Sequence, residues 1–179
     1  MLKHVRFTKR QLSLAKRARE AAEGREALFH GTRHPKLILR TDVLLPAEWG
    51  VTAVSFTRSP EVAAYFALLH RDDDEELGAV LVFDRQSLRC RHRVEPHHDP
   101  IWDNKKCRRD ESEELIWGHP IMDVDRHLIT CVMQPAGKAR PETMKHRHEF
   151  ERDVEARIRV LFWTSPARTG TLWRNVMPT

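Results

Sequence analysis

The chain has 179 residues, with 31 Lys and Arg against 26 Asp and Glu, a formal net charge of +5. This length favours one domain with room for a real core, and an apolar fraction of 40% excludes a disordered chain. No apolar run nears the roughly 20 residues of a membrane helix, and residues 1–19 are too charged for a secretory signal.

Three cysteines, Cys90, Cys107 and Cys131, are too few and too irregular for a disulfide framework, so a reducing cytoplasm is the expected setting. The charge is unevenly spread. Lys3, Arg6, Lys9, Arg10, Lys16, Arg17 and Arg19 face one acid, Glu20, in the first twenty residues. Further basic runs are Arg85 to Arg93 and Lys105, Lys106, Arg108 and Arg109. Each run alone reads as solvated surface; together they tilt the partners towards anions. The acidic run Asp72 to Glu76 reads as a wet loop.

In chain order, residues 8–23 form a predicted helix, with Thr8 as N-cap and Gly24 as its stop. Its thin apolar stripe (Leu12, Ala15, Ala18, Ala22) places it on a surface. Ala27 to His30 is a short strand meeting a turn at Gly31-Thr32, and Val51 to Phe56 is a second strand. Ser59 and Pro60 open a helix whose Val62, Tyr65, Phe66 and Leu69 share one face. Gly78 to Asp84 reads as a strand buried on both faces. Residues 85–110 read as loop broken by short strands. Glu114 to Trp117, His127 to Met133 and Arg157 to Trp163 are further strands, and the last alternates with period two. Pro135 to Pro141 is a linker and Glu142 to Glu155 a charged helix. The pattern is α+β. Its expected divisions are a basic N-terminal helix (1–24), a core (25–134) and a C-terminal helix–strand extension (135–179).

Three segments carry candidate chemistry. In Phe29-His30-Gly31-Thr32 a strand ends in an imidazole beside a glycine that admits a ligand close to the backbone. In Val54-Ser55-Phe56-Thr57 alternation puts Ser55 and Thr57 on the face opposite Phe56, and the helix that follows carries Tyr65, the only tyrosine. In Asp110-Glu111-Ser112-Glu113-Glu114 acids at 111 and 113 share a face at the mouth of an apolar strand, a costly position for carboxylates without a task. Each segment alone also fits ordinary structure: a turn, a capped core helix, a solvated acidic turn.

In this order the three segments resemble the ADP-ribosyltransferase superfamily, which cleaves nicotinamide from NAD and transfers ADP-ribose. The resemblance spans roughly residues 28–133. It implies a split β-sheet core in which His30 holds the ribose next to nicotinamide and the Gly31 backbone holds the carboxamide, within a His30-Gly31-Thr32 motif. Ser55-Phe56-Thr57 is similar to the second motif, with Tyr65 or Phe66 stacking on nicotinamide. Glu111-Ser112-Glu113 is similar to the Glu-x-Glu motif, whose second glutamate is catalytic. The chain mixes two branches: His30 is a feature of the polymerase-like one and Glu-x-Glu of the toxin-like one. Ser55 stands where the former has a tyrosine. The register of the catalytic glutamate is open between Glu113, the preferred residue, and Glu114.

The resemblance implies a mono-ADP-ribosyltransferase using NAD as substrate, without a metal. A carboxylate at Glu113 suits the positive charge that grows on the sugar as nicotinamide leaves, and Glu111 or Glu113 suits removal of an acceptor proton. The family's acceptor loop corresponds to Lys105, Lys106, Arg108 and Arg109, which tilts a macromolecular acceptor slightly towards nucleic acid over protein. Arg33 or Arg40 is placed by sequence nearness alone to meet the pyrophosphate. Small domains of this kind occur as bacterial toxins and phage effectors, so a toxin role and an inhibitory partner protein are open expectations. Two alternatives stand beside this one: a non-catalytic basic nucleic-acid-binding module, and an RNA 2′-phosphotransferase-like enzyme. Zinc at Cys90, His92, His97, His98 and Cys107 is disfavoured by their spacing. The Trp residues read as core packing.

Overall fold

The computed structural model describes residues 7–46, 52–68, 78–97, 112–134, 149 and 152–159. The chain divides into two compact units, residues 1–140 and 141–179. In the second, residues 152–159 form a helix with Val154 and Ile158, four apart and therefore on one face, buried. Residues 157–159 are thus helical, not the start of a strand. Alternation over so few residues is equally compatible with the i, i+4 pair that governs here. Residues 160–163 lie outside the described residues, as do the linker at 135–141 and the acidic run at 72–76.

The first unit opens with α1 (Lys9–Ala21). Thr8 Oγ1 accepts from the Gln11 N–H at 3.2 Å and Gln11 Oε1 accepts from the Thr8 N–H at 2.8 Å, a closed capping box. Its buried face is Gln11, Leu14, Ala15 and Ala18, while Leu12 is exposed. Of the stripe expected, Ala15, Ala18 and Ala22 are buried and only Leu12 is not, Gln11 and Leu14 taking its place, and the helix lies on the surface with this one face packed on the sheet. Then follow β1 (Ala27–Thr32), α2 (Pro35–Thr41), β2 (Val43–Leu44), β3 (Ala53–Thr57) and α3 (Pro60–Ala67). After them come β4 (Ala79–Asp84), α4 (Arg85–Arg89), β5 (Glu95–His97), β6 (Glu113–Trp117), β7 (Ile121–Met122), α5 (Val124–His127) and β8 (Leu128–Met133).

Six strands form one antiparallel sheet in the order β5-β6-β3-β1-β4-β8, and β2 pairs with β7 separately. On one face, Phe29, Val80 and Val82 meet Leu14, Ala15 and Ala18 of α1 and Ala63, Ala64 and Ala67 of α3. On the other, Leu28, Val54, Phe56, Leu81, Phe83 and Ile116 meet Ile38, Leu44, Leu88, Ile121 and Val124 from the small elements. Strand β4 is central to both clusters, which is why it reads as an unbroken apolar run. No helix among the described residues is long and apolar enough to cross a membrane.

Four further differences from the sequence reading have local causes. Strand β1 continues through Gly31 and Thr32, because β4 pairs with it as far as Thr32↔Ala79. Arg85 to Arg89 is helical instead of loop, since Asp84 Oδ1 accepts from the Ser87 N–H at 2.8 Å and caps it. The buried side of α3 is Val62, Ala63, Ala64 and Ala67, with Phe66 exposed, so small residues take the sheet. Trp117 is 43% exposed and meets His97 edge-on at 6.1 Å, so it is no core residue.

Candidate active site

The site arises from a gap in the sheet. Strands β1 and β4 pair over their whole length, from Ala27↔Asp84 to Thr32↔Ala79, and β3 pairs with β6 from Ala53↔Trp117 to Thr57↔Glu113. Between β1 and β3 the register has one pair, Phe29↔Thr57. No further pair joins them, so within the six-stranded sheet a single register pair links the half-sheet β5-β6-β3 to the half-sheet β1-β4-β8. A cleft of about 370 Å³ lies at this split, lined by His30, Gly31, Ser55, Thr57, Phe66 and Glu113, with Phe29, Phe56, Val62 and Ala63 as apolar walls. It has the size and the mainly apolar lining with few polar groups of a small-molecule site.

His30 spans the gap. Its Nδ1 lies 2.9 Å from the Ser55 carbonyl oxygen. A carbonyl only accepts, so Nδ1 carries the proton and donates, and Nε2 of the neutral ring is left as an acceptor. The side chain thus supplies a hydrogen bond across the position where the ladder lapses. Burial lowers the His30 pKa, opposed by the bond to Ser55, so the ring is held neutral. Phe56 meets it edge-on, centroids 6.0 Å apart.

The two neighbouring glutamates part company on β6. Glu113 is half-buried, lines the cleft and has no ion pair among the described residues. Glu114, one residue on and on the opposite face, is 1% exposed. Its carboxylate receives Arg58 Nε and Nη2 on Oε1, and Arg85 Nε at 2.9 Å on Oε2 and 3.2 Å on Oε1. Arg85 also reaches Glu26 at 3.3 Å, and the Glu114 carboxylate is the largest cause that raises the Arg85 pKa. Just before Glu113, Ser112 sits at φ +48°, a left-handed backbone unusual for serine, and its carbonyl accepts from the Arg58 N–H at 3.1 Å.

The threonines have local tasks. Thr32 Oγ1 accepts from the His34 N–H at 3.0 Å and Thr57 Oγ1 from the Ser59 N–H at 3.0 Å, so each strand end shapes the turn that follows. Thr32 is buried and outside the cleft lining; Thr57 and the exposed Ser55 belong to it. Gly31 serves close packing: a Cβ there would lie 2.0 Å from the Ala63 carbonyl oxygen of α3. Phe66 lines the cleft, whereas Tyr65 is outside that lining and rests between Phe7 (6.4 Å) and Phe66 (5.4 Å, edge-on). Glu111, Lys105, Lys106, Arg108 and Arg109 lie outside the described residues.

Sequence reasoning did not single out Phe29, Phe56, Val62 and Ala63 as walls, nor Arg58 and Arg85 as partners of Glu114. Arg58 adjoins the Ser55-Phe56-Thr57 motif, the one hint available. A second hollow of about 520 Å³ shares Phe29 with the cleft and includes Arg19, Arg25 and Arg58 beside Glu20 and Glu23.

Away from the cleft, three imidazoles cluster. His92 stacks on His119, Nδ1 to Nε2 3.3 Å, and meets His127 edge-on at 5.6 Å. His127 is 1% exposed, with Nδ1 2.8 Å from Ser87 Oγ. Burial, then His127, His119 and Arg91, lower the His92 pKa. Burial, then Arg91 and Arg126, lower that of His127 against Asp123 and Asp125. With folded values below the ordinary 6.5, the unfolded chain binds protons first as pH falls. The stabilisation is therefore complete above about pH 6.5 and is lost as pH falls through the lowered folded values. Urea titrations between pH 4.5 and 8 are expected to show stability rising with pH and levelling off, with a shallower slope in His92→Asn. A flat profile would contradict this.

Among the described residues no group of three His, Cys, Asp or Glu is arranged to hold a metal ion. Comparison of the chain with protein-family models, with curated proteins and with solved structures returns no match.

Proposed function

We propose that the protein is an NAD-dependent mono-ADP-ribosyltransferase with an ADP-ribosyltransferase-like split sheet. The observation that carries the reading is convergence. His30, Gly31, Ser55, Phe66 and Glu113, drawn from three segments up to 83 positions apart, line one cleft at a break in the sheet. Order along a sequence does not impose this.

In the reaction, the bond between ribose C1 and the nicotinamide nitrogen breaks and nicotinamide departs neutral with the electron pair. Positive charge grows on the sugar, and the Glu113 carboxylate stabilises it more than it does the ground state. The acceptor nucleophile then bonds to C1 and gives its proton to Glu113 or to water. Neutral His30, fixed by Ser55 with Nε2 as an acceptor, suits a ribose hydroxyl donor. Phe66 offers the exposed flat surface for nicotinamide. The second hollow, with its arginines, suits the phosphates of the same substrate.

Arginines 108 and 109 with Lys105 and Lys106 support an anionic macromolecular acceptor, nucleic acid ahead of protein. The test is release of nicotinamide from NAD by the purified full chain, with nucleic acid and cell lysate as acceptors. Release with label transfer to the acceptor is the expected result. No NAD binding and no turnover with any acceptor would overturn the reading in favour of a basic binding module.

A further inference from the structure

The two half-sheets share one register pair at Phe29↔Thr57, together with apolar packing of Leu28, Leu81 and Phe83 against Val54, Phe56 and Ile116. Apolar packing is non-directional, so it holds the halves together without fixing their spacing finely. Directional fastening comes from the His30–Ser55 hydrogen bond inside the cleft and, independently of it, from a chain of ion pairs beside it. Arg85 directly follows β4, in one half; Glu114 lies on β6, in the other; Arg58 directly follows β3. The chain Glu26–Arg85–Glu114–Arg58 thus runs across the split, and its main-chain ends are tied as well. The Arg85 N–H donates to the Glu26 carbonyl at 2.9 Å and the Arg58 N–H to the Ser112 carbonyl at 3.1 Å.

A carboxylate this buried gains little net stability from its cations, because their desolvation offsets the attraction, and apolar residues of similar size would serve stability as well. Its geometric effect is specific. Arg85 engages both oxygens and Arg58 one, so the Glu114 carboxylate is held in place, and with it the stretch of β6 backbone that also carries Glu113.

We propose that Glu114 is a positioning residue whose ion pair with Arg85 clamps the two half-sheets, with Arg58 holding the Glu114 carboxylate from within its own half, and that this sets the separation of the His30 and Glu113 walls of the cleft. Its catalytic consequence rests on the transferase reading above; its structural one does not.

The experiment has two readouts on the full chain. The first is the distance between spin labels on Arg33→Cys, just after β1, and Thr52→Cys, just before β3, both exposed and at the open end of the split. A Cys90→Ser, Cys107→Ser and Cys131→Ser background removes the other thiols. Glu114→Gln, compared in that background, is expected to broaden and lengthen the distance distribution. If Glu114→Gln fails to fold, Glu114→Met with Arg85→Met takes its place: it removes the bridging pair, and the Arg58 and Glu26 charges it releases are both on exposed side chains that water can solvate. The second readout is nicotinamide release in the otherwise native chain. Here kcat is expected to fall roughly 10- to 100-fold, with KM changed much less, as for a misplacement near 1 Å. An unchanged distance distribution overturns the clamp, whatever the activity. A changed distribution alongside a wild-type protein that releases no nicotinamide keeps the clamp and rejects the transferase reading.

Discussion

Replacing Glu113 by Gln is expected to lower nicotinamide release by roughly 10²- to 10⁴-fold with NAD affinity nearly unchanged. The substitution keeps the shape of the side chain and the hydrogen-bonding reach of one oxygen while removing the charge. Because the positive charge develops on the sugar in the transition state and is distant in the ground state, the loss falls on kcat. Glu113 is suited to this since no Arg or Lys neutralises it among the described residues, and since its half-buried position in an apolar cleft strengthens its field. Single-turnover release and equilibrium NAD binding, measured on the same preparation, check it. Wild-type turnover in Glu113→Gln would remove the residue from the catalytic role.

Glu113 and its neighbour Glu114 have identical side chains in different surroundings. Glu114 faces Arg58 and Arg85, so its carboxylate is already neutralised before any substrate arrives. An anion in that state has little left to offer a growing cation. Glu114→Gln also lowers the rate in the clamp proposal, but through geometry and with an altered label distance; Glu113→Gln lowers it with the distance intact. The two variants therefore separate charge from placement.

Much of this was legible in the sequence because the signals were local. The Thr8 cap, the Ser59-Pro60 start of α3 and the unbroken apolar run of β4 rest on neighbouring residues, and each element formed there. Of the candidates in the three segments, His30, Gly31, Ser55, Thr57, Phe66 and Glu113 line the cleft, while Thr32 and Tyr65 do not, because lining is decided by the pairing of the strands and the rotation of α3. What escaped had non-local or competing causes. Gln11 is buried because its side chain completes the capping box, which shifts the inward face of α1 away from Leu12. Helices α2 and α4, seven and five residues long, are too short to display a period. Phe66 turns towards the cleft because α3 gives the sheet its alanines, leaving Tyr65 to rest beside Phe7. Arg85 meets Glu114 from 29 positions away, through strand pairing that no local pattern announces.

Gly31→Ala is the second large effect expected, and its cause is the backbone of α3. The φ of Gly31 is not positive, so the residue is no conformational requirement; the requirement is space. An added Cβ would stand 2.0 Å from the Ala63 carbonyl oxygen and 2.9 Å from the Ala67 nitrogen, where contacts under 3.0 Å do not occur. The helix must retreat by about 1 Å, and since the obstacle is main chain, trimming a neighbouring side chain gives no relief. Overpacking of this kind costs about 1–3 kcal/mol, or roughly 2–12 °C in Tm for a chain of this size. Because Val62, Ala63 and Phe66 form one wall of the cleft, the same retreat moves that wall away from His30, so KM for NAD is expected to rise as well. Gly118→Ala provides the contrast: its φ of +76° strains alanine, yet nothing lies within 4 Å of the new Cβ and the residue lines neither hollow. That variant is expected to lose about 1 kcal/mol with KM unaffected. Thermal unfolding and KM measured on both variants distinguish loss of space from backbone strain, and a Gly31→Ala protein with wild-type Tm would show that α3 does not rest on β1 at this glycine.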